Sequence, residues 1–224
     1  MPMSSLQWPV VEHFTVAAYD HRGLGRSEPD DPDLQPVMDD FARDAIGLVD
    51  HLGWDRFAVV GISFGGMVAQ HLAALAGDRV VRLVLGCTSS GGPGGSSYPL
   101  HEVAPLPPDE RADRMVDLID TRAAADPELR DVFLPFLKLD VAPPAPGYLQ
   151  QLEARRHHDA WDRLPTITAP TLVAAGRFDG IAPLANSEAL AARIPRAELA
   201  TFDGGHGFFV QDPTAWPTIL GFLA

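Results

Sequence analysis

The chain has 224 residues, 46% of them hydrophobic, enough for one sizeable core and a smaller insertion. Its 17 Lys and Arg against 30 Asp and Glu give a formal net charge of -13, which argues against a nucleic-acid partner. A single cysteine, Cys87, excludes an internal disulfide, and no basic N-terminal region precedes an apolar core, so a cytoplasmic chain with no membrane partner is expected.

In chain order, Leu6, Val10 and Phe14 recur at four-residue spacing, and residues 4–13 predict a short amphipathic helix. Residues 14–19, Phe-Thr-Val-Ala-Ala-Tyr, predict a buried parallel strand. That run ends in Asp20-His21-Arg22-Gly23-Leu24-Gly25-Arg26-Ser27, a turn whose glycines permit positive φ and whose Asp20 can accept from local N–H groups. His21 reads as an exposed loop residue. Met38, Phe41, Ala45, Leu48, Val49 and Leu52 then mark a helix stopped by Gly53. Residues 57–62 predict a strand, a helix follows to about residue 76, and residues 80–87 predict a further strand that buries Cys87 as an unreactive thiol. His71, between the apolar positions of that helix, reads as structural. Strands alternating with helices imply a mostly parallel open sheet with right-handed crossovers, the α/β class.

Between the strand at 57–62 and its helix stands Gly61-Ile62-Ser63-Phe64-Gly65-Gly66, a G-x-S-x-G pattern. On a strand-turn-helix corner this pattern strains the serine backbone and lifts its hydroxyl above the sheet. Phe64 opens the helix, so its N–H points where a carbonyl oxygen would become negative during attack by Ser63.

After Cys87 the pattern breaks in Thr88-Ser89-Ser90-Gly91-Gly92-Pro93-Gly94-Gly95-Ser96-Ser97, which predicts a flexible hinge outside the core. Helices are expected at about 109–123, 126–139 and 148–161, separated by Pro143, Pro144 and Pro146, with a kink at Pro135. Residues 88–165 thus form an inserted lid that gates access to Ser63 without supplying its partners. Met115, Phe133, Phe136, Tyr148 and Trp161 are its candidates for a substrate pocket, each equally able to serve as lid core. His157 and His158, among Arg155, Arg156 and Asp159, read as a solvated face.

A strand at 171–176, a helix at about 183–193, a strand at 197–202 and a last helix opened by Asp212 and Pro213 complete the chain. Functional residues of an open parallel sheet lie beyond the carboxyl ends of its strands, where Asp179 and His206 fall. A serine hydroxyl needs an adjacent base, and a histidine in a glycine loop can reach it. The base in turn needs a buried acceptor, which Asp179 or, less favourably placed, Asp203 can supply. No His, Asp or Glu cluster shows metal-ligand spacing, so neither a metal nor a cofactor is expected.

Taken together, residues 20–27, the elbow, Gly176-Arg177-Phe178-Asp179 and Gly204-Gly205-His206-Gly207 resemble the α/β-hydrolase superfamily, and within it the lid-bearing esterase, lactonase and cofactor-free perhydrolase group. The resemblance implies a core from residues 1–87 and 166–224, a lid from 88–165, Ser63 as nucleophile, His206 as base then acid, and Asp179 as its orienting carboxylate. It implies a serine hydrolase of a small or medium apolar ester, lactone or thioester, with a small-molecule substrate as partner. Alternatives are peroxide-dependent acyl transfer at the same residues and a truncated, non-catalytic ligand-binding remnant. Family members carry a further central strand and a His-Gly oxyanion loop ahead of the segment matching 14–20, and nothing upstream of Asp20 matches them. Residues 14–19 are therefore expected to close the gap by pairing directly with 57–62.

Overall fold

The computed structural model describes residues 9–29, 31, 33–137 and 145–224. Among these, four strands form one parallel sheet in the order β1 (Phe57–Ile62), β2 (Val80–Gly86), β3 (Thr171–Gly176), β4 (Ala197–Phe202). Chain order and spatial order coincide, so each connection crosses over to the next strand in the same sense of travel. The crossovers are helical: α2 (Phe64–Ala76) links β1 to β2, and α7 (Leu184–Arg193) links β3 to β4. The period-two alternation of strand side chains divides the core. Leu83, Leu85 and Val173 face α1 (Met38–His51), α2 and α7, where Phe41, Met67, Leu72 and Leu190 complete one cluster. Val84 and Leu172 face the other side, against Ile219 of the last helix (Ala215–Leu223).

Between β2 and β3 lie α3 (Leu100–Val103), α4 (Pro108–Ile119), α5 (Pro127–Leu137) and α6 (Pro146–Arg156). Pro108 and Pro146 each stand in a first helical turn, where a missing N–H costs nothing because that group has no intrahelical partner. The first helix of this group was not expected, and the last ends five residues short of the predicted boundary. His157, the residue after Arg156, already closes the helix with its N–H on Glu153 O.

Three expectations are corrected. Residues 14–19 are not a buried strand and do not pair with β1: they carry no ladder, and Phe14, Val16 and Tyr19 are 37%, 40% and 37% exposed. The segment is held instead through side chains at its end. His21 packs edge-on against Phe41 and Phe64, and Arg22 donates to Asp44 at 2.7 and 2.5 Å, fastening the chain over α1 and α2. β1 is consequently an edge strand among the described residues. Second, the glycine- and serine-rich stretch after β2 is packed, not a free hinge. Thr88, Ser89 and Ser90 are buried, and their polar groups are satisfied: Thr88 Oγ1 donates to Ser63 O at 2.9 Å, Ser89 O accepts from Gln70 at 2.9 Å, and Ser90 O accepts from Ala160 N–H at 2.8 Å. Third, the helix expected at 4–13 is represented by a short 3-10 turn at Pro9–Glu12, the residues before it lying outside the described part. The stretch 138–139 of the second insertion helix also lies outside it.

Candidate active site

Ser63 is the last residue before α2 and has φ 54°, ψ -118°, in the left-handed region that side-chain-bearing residues rarely adopt. The corner is held from both sides. Its N–H donates to Gly86 O at 2.8 Å, and its carbonyl accepts from Thr88 Oγ1, Gly66 N–H and Met67 N–H. Two glycines are required by close approach: a Cβ on Gly61 would strike Gly65 O, and one on Gly66 would stand 2.7 Å from the Thr88 Cβ. Gly65, although part of the sequence pattern, faces open space.

The three sequence-predicted side chains meet at the carboxyl ends of three different strands. Ser63 Oγ lies 2.8 Å from His206 Nε2, and His206 Nδ1 lies 2.9 Å from Asp179 Oδ2. Asp179 is buried, and its second oxygen accepts from Ile181 and Ala182 N–H groups, both at 2.8 Å. An ionised carboxylate only accepts, so the proton on the imidazole belongs on Nδ1. Nε2 then presents a lone pair to the serine hydroxyl, the arrangement a general base needs. Asp203, the alternative acid, is exposed and paired with Arg122 at 2.9 Å. Phe64 opens α2 directly after Ser63. A second oxyanion donor is not identified among the described residues.

The remaining candidates are dispersed. Met115 packs with Val103, Leu118 and Ile181, while Trp161 packs against the main core under the Arg193 guanidinium, 4.9 Å from its ring centroid. Phe133 and Tyr148 are half-buried, and the Phe136 side chain lies outside the described part. Cys87 is buried at φ 40°, and burial raises its thiol pKa well above the ordinary value. Its sulfur lies with Asp179 and His206 in the one group of potential metal donors among the described residues, ligand atoms within 4.8 Å of one another.

Sequence reasoning missed two polar clusters around these residues. In the first, His206 N–H donates to Ile119 O at 2.6 Å, Gly205 N–H donates to Gln211 Oε1 at 2.9 Å, and Gln211 Nε2 donates to the fully buried Asp120 at 2.9 Å. Burial pushes the Asp120 carboxyl up, but bonds from Arg122 and Gln211 outweigh it and leave the pKa lowered. In the second, Asp39 accepts from Arg163 at 2.6 Å and meets His71 Nδ1 at 2.6 Å, His71 Nε2 faces His158 Nδ1 at 3.3 Å, and His158 Nε2 bonds Ser89 O at 3.0 Å. His158 is thus buried, contrary to the solvated face expected of it, whereas His157 is exposed. His21 is likewise half-buried rather than exposed, and burial lowers its pKa.

A serine on a strained strand-to-helix corner, backed by a histidine and an aspartate from later strand ends, defines the class of the α/β-fold hydrolases. The family model for the alpha/beta hydrolase fold matches residues 3–213, and the chain belongs to that family. A protein of Caulobacter sp. (strain K31), provisionally named as the carbamate hydrolase RutD, is 33% identical, the match spanning 96% of this chain and 82% of the relative. The poly(3-hydroxyalkanoate) depolymerase of Ectopseudomonas oleovorans is 31% identical over 97% of this chain and 79% of its own. Among solved structures, the enol-lactonase from Burkholderia xenovorans LB400 superposes with TM-score 0.74 at 27% identity, covering 92% of this chain and 79% of the enol-lactonase. The protein is a hydrolase of this fold, and no helix among the described residues is long and apolar enough to cross a membrane.

Proposed function

We propose that this hydrolase cleaves a small or medium apolar carboxylic ester, lactone or thioester through an acyl-enzyme on Ser63. The observation that carries the reading is the unbroken run of hydrogen bonds from Ser63 Oγ through His206 to a buried Asp179. In the first half-reaction Ser63 Oγ attacks the carbonyl carbon as its proton moves to His206 Nε2. The resulting oxyanion is stabilised by the Phe64 N–H, and collapse expels the leaving group, which takes the proton from His206. Water then repeats the sequence on the acyl-enzyme and frees Ser63. Asp179 stays ionised throughout, orienting the ring and stabilising the imidazolium. No cofactor or metal enters these steps.

The name of the enol-lactonase relative supports a lactone or ester bond as the target. Residues 88–165 act as a lid, and the half-buried Phe133 and Tyr148 are its candidates for an apolar acyl surface. The partner is a small molecule rather than a nucleic acid or a membrane, in keeping with the net charge of -13, and the working compartment is the cytoplasm. A fluorophosphonate probe followed by peptide mass spectrometry tests the reading, together with a panel of esters, thioesters and lactones. Labelling of Ser63 that disappears in Ser63→Ala is the expected result. A folded protein that neither labels nor turns over any member of the panel would instead be a non-catalytic binder.

A further inference from the structure

Arg155, near the end of α6, is 9% exposed, yet among the described residues no carboxylate faces it. Five of the other arginines differ from it. Arg22, Arg79, Arg122, Arg130 and Arg163 each meet an aspartate within 2.9 Å. The Arg155 guanidinium donates through Nη1 to Tyr98 O at 2.7 Å, and its buried Nη2 has no partner among the described residues. Buried cations are ordinarily paired, because an unpaired one forfeits its hydration. Burial draws the Arg155 pKa down to about 10, still cationic at neutral pH.

Nη2 belongs to a residue that lines a cavity of about 200 Å³ with Met67, Ser89, Ser97, His101 and His158. Among the described residues no acidic side chain contributes to that wall, although the chain holds 30 Asp and Glu. His101 brings a second buried, unpartnered atom, Nδ1, and the Ser89 and Ser97 hydroxyls lie 2.8 Å apart, one of them left as a further polar contact for a guest. A cation fork without its anion, hydroxyls and imidazoles, and no competing carboxylate together describe an oxyanion receptor. The cavity is also close to the elbow in the chain: Met67 N–H bonds Ser63 O, and Ser89 follows the Thr88 that bonds the same carbonyl.

We propose that this cavity binds a small carboxylate through Arg155. The carboxylate has two possible sources, the acid end of a substrate whose other end reaches Ser63, or a free small acid. Neither source is needed for the site itself, so its test does not depend on the hydrolytic reading.

The purified chain and its Ser63→Ala variant are titrated with sodium acetate and sodium succinate against sodium chloride at equal ionic strength, following thermal unfolding and calorimetric heat. The expected result is a saturable rise in unfolding temperature with the carboxylates only, equal in both proteins. Arg155→Met should abolish it. Arg155→Lys should weaken binding by roughly 10- to 100-fold, the range of a lost charge-assisted bond. Ser97→Asp provides a second arm that does not depend on how Arg155→Met folds: a carboxylate supplied from the cavity wall should raise the unfolding temperature and eliminate the acetate response. A response shared by chloride, a response unchanged in folded Arg155→Met, or an acetate response that persists in Ser97→Asp overturns the proposal. The sources are separated by the p-nitrophenyl half-ester of succinic acid and p-nitrophenyl butyrate. A substrate site predicts that Arg155→Lys raises KM for the half-ester alone, whereas a free-acid site leaves both KM values equal to wild type while binding of acetate is lost.

Discussion

Asp179 divides its two oxygens between different tasks, and the consequence can be measured. Oδ1 is fixed by Ile181 and Ala182 N–H groups, so only Oδ2 is available to His206. Asp179→Asn keeps the backbone bonds if its carbonyl oxygen takes the Oδ1 place, which turns an NH2 group toward Nδ1. The imidazole must then carry its proton on Nε2, facing the serine, and kcat should fall by about 10⁴-fold with little loss of stability. Ser63→Ala and His206→Ala should each cost roughly 10⁶-fold, and their double variant no more, since the pair acts as a unit. Steady-state kinetics on the best ester of the panel checks all three, and full activity in Asp179→Asn would remove the carboxylate from the mechanism. Histidine burial yields a separate expectation. Burial, reinforced by the neighbouring His71, draws the His158 pKa down to about 4, and burial also lowers that of His71 itself. A base whose folded pKa is lowered is protonated first in the unfolded chain, so its stabilising effect is present above the unfolded pKa of about 6.5 and is lost as pH falls toward the folded value. Stability against urea should therefore fall between about pH 6.5 and pH 4, and His158→Gln should flatten that slope. An unchanged slope in the variant would assign the acid sensitivity to other groups. The histidine was unreadable in sequence for a plain reason: Arg155-Arg156-His157-His158-Asp159 has the composition of a solvated face, and its partners stand 69 and 87 residues away.

Elements, unlike such pairings, were largely legible. Apolar runs located β1 to β3 within a residue, because buried parallel strands need continuous β-branched and aliphatic stretches, and α1 and α2 showed their 3.6-residue period. What periodicity does not carry is the bracing of one loop by another. The end of α4 and the turn after it touch both functional loops: Gly180 N–H donates to Leu118 O at 2.9 Å, Thr121 N–H to Phe178 O at 2.9 Å, and His206 N–H to Ile119 O. The insertion contributes none of the three site residues, yet it braces the loops that carry two of them. Removing residues 99–159 is expected to abolish phosphonate labelling of Ser63, because the Asp179 and His206 loops would lose these acceptors and donors. Gln211→Ala tests the same brace without a deletion. It leaves Gly205 N–H and Asp120 short of a partner, so stability should fall by about 1 to 3 kcal/mol. Loop displacement should lower kcat by roughly 10- to 100-fold in the fraction that stays folded, with KM little changed. Wild-type kcat in that variant would show that the loop holds its position without the brace.

At the scale of the whole molecule, the sheet's least expected feature is its first edge. An apolar run such as 14–19 states only that burial would be favourable, and a strand exists only where a ladder partner is available. Here the run lies outside the ladder, β1 pairs among the described residues with β2 alone, and Phe14, Val16 and Tyr19 remain exposed. An edge of this kind presents unpaired N–H and C=O groups and invites pairing between chains. Net charge opposes that association: with -13 on each copy, approach is repelled at low salt. Screening should reverse the balance, because the Debye length shrinks from about 30 Å at 0.01 M salt to about 8 Å at 0.15 M, leaving the contact itself unopposed by distant charge. The mass measured by light scattering should therefore rise with protein concentration, and more steeply as salt is added. Ala58 is an exposed residue of β1, so Ala58→Lys should blunt the edge and hold the protein monomeric while leaving phosphonate labelling of Ser63 intact. A monomer at every salt concentration would mean that the edge is covered within the chain, and association that Ala58→Lys does not reduce would move the contact to another surface.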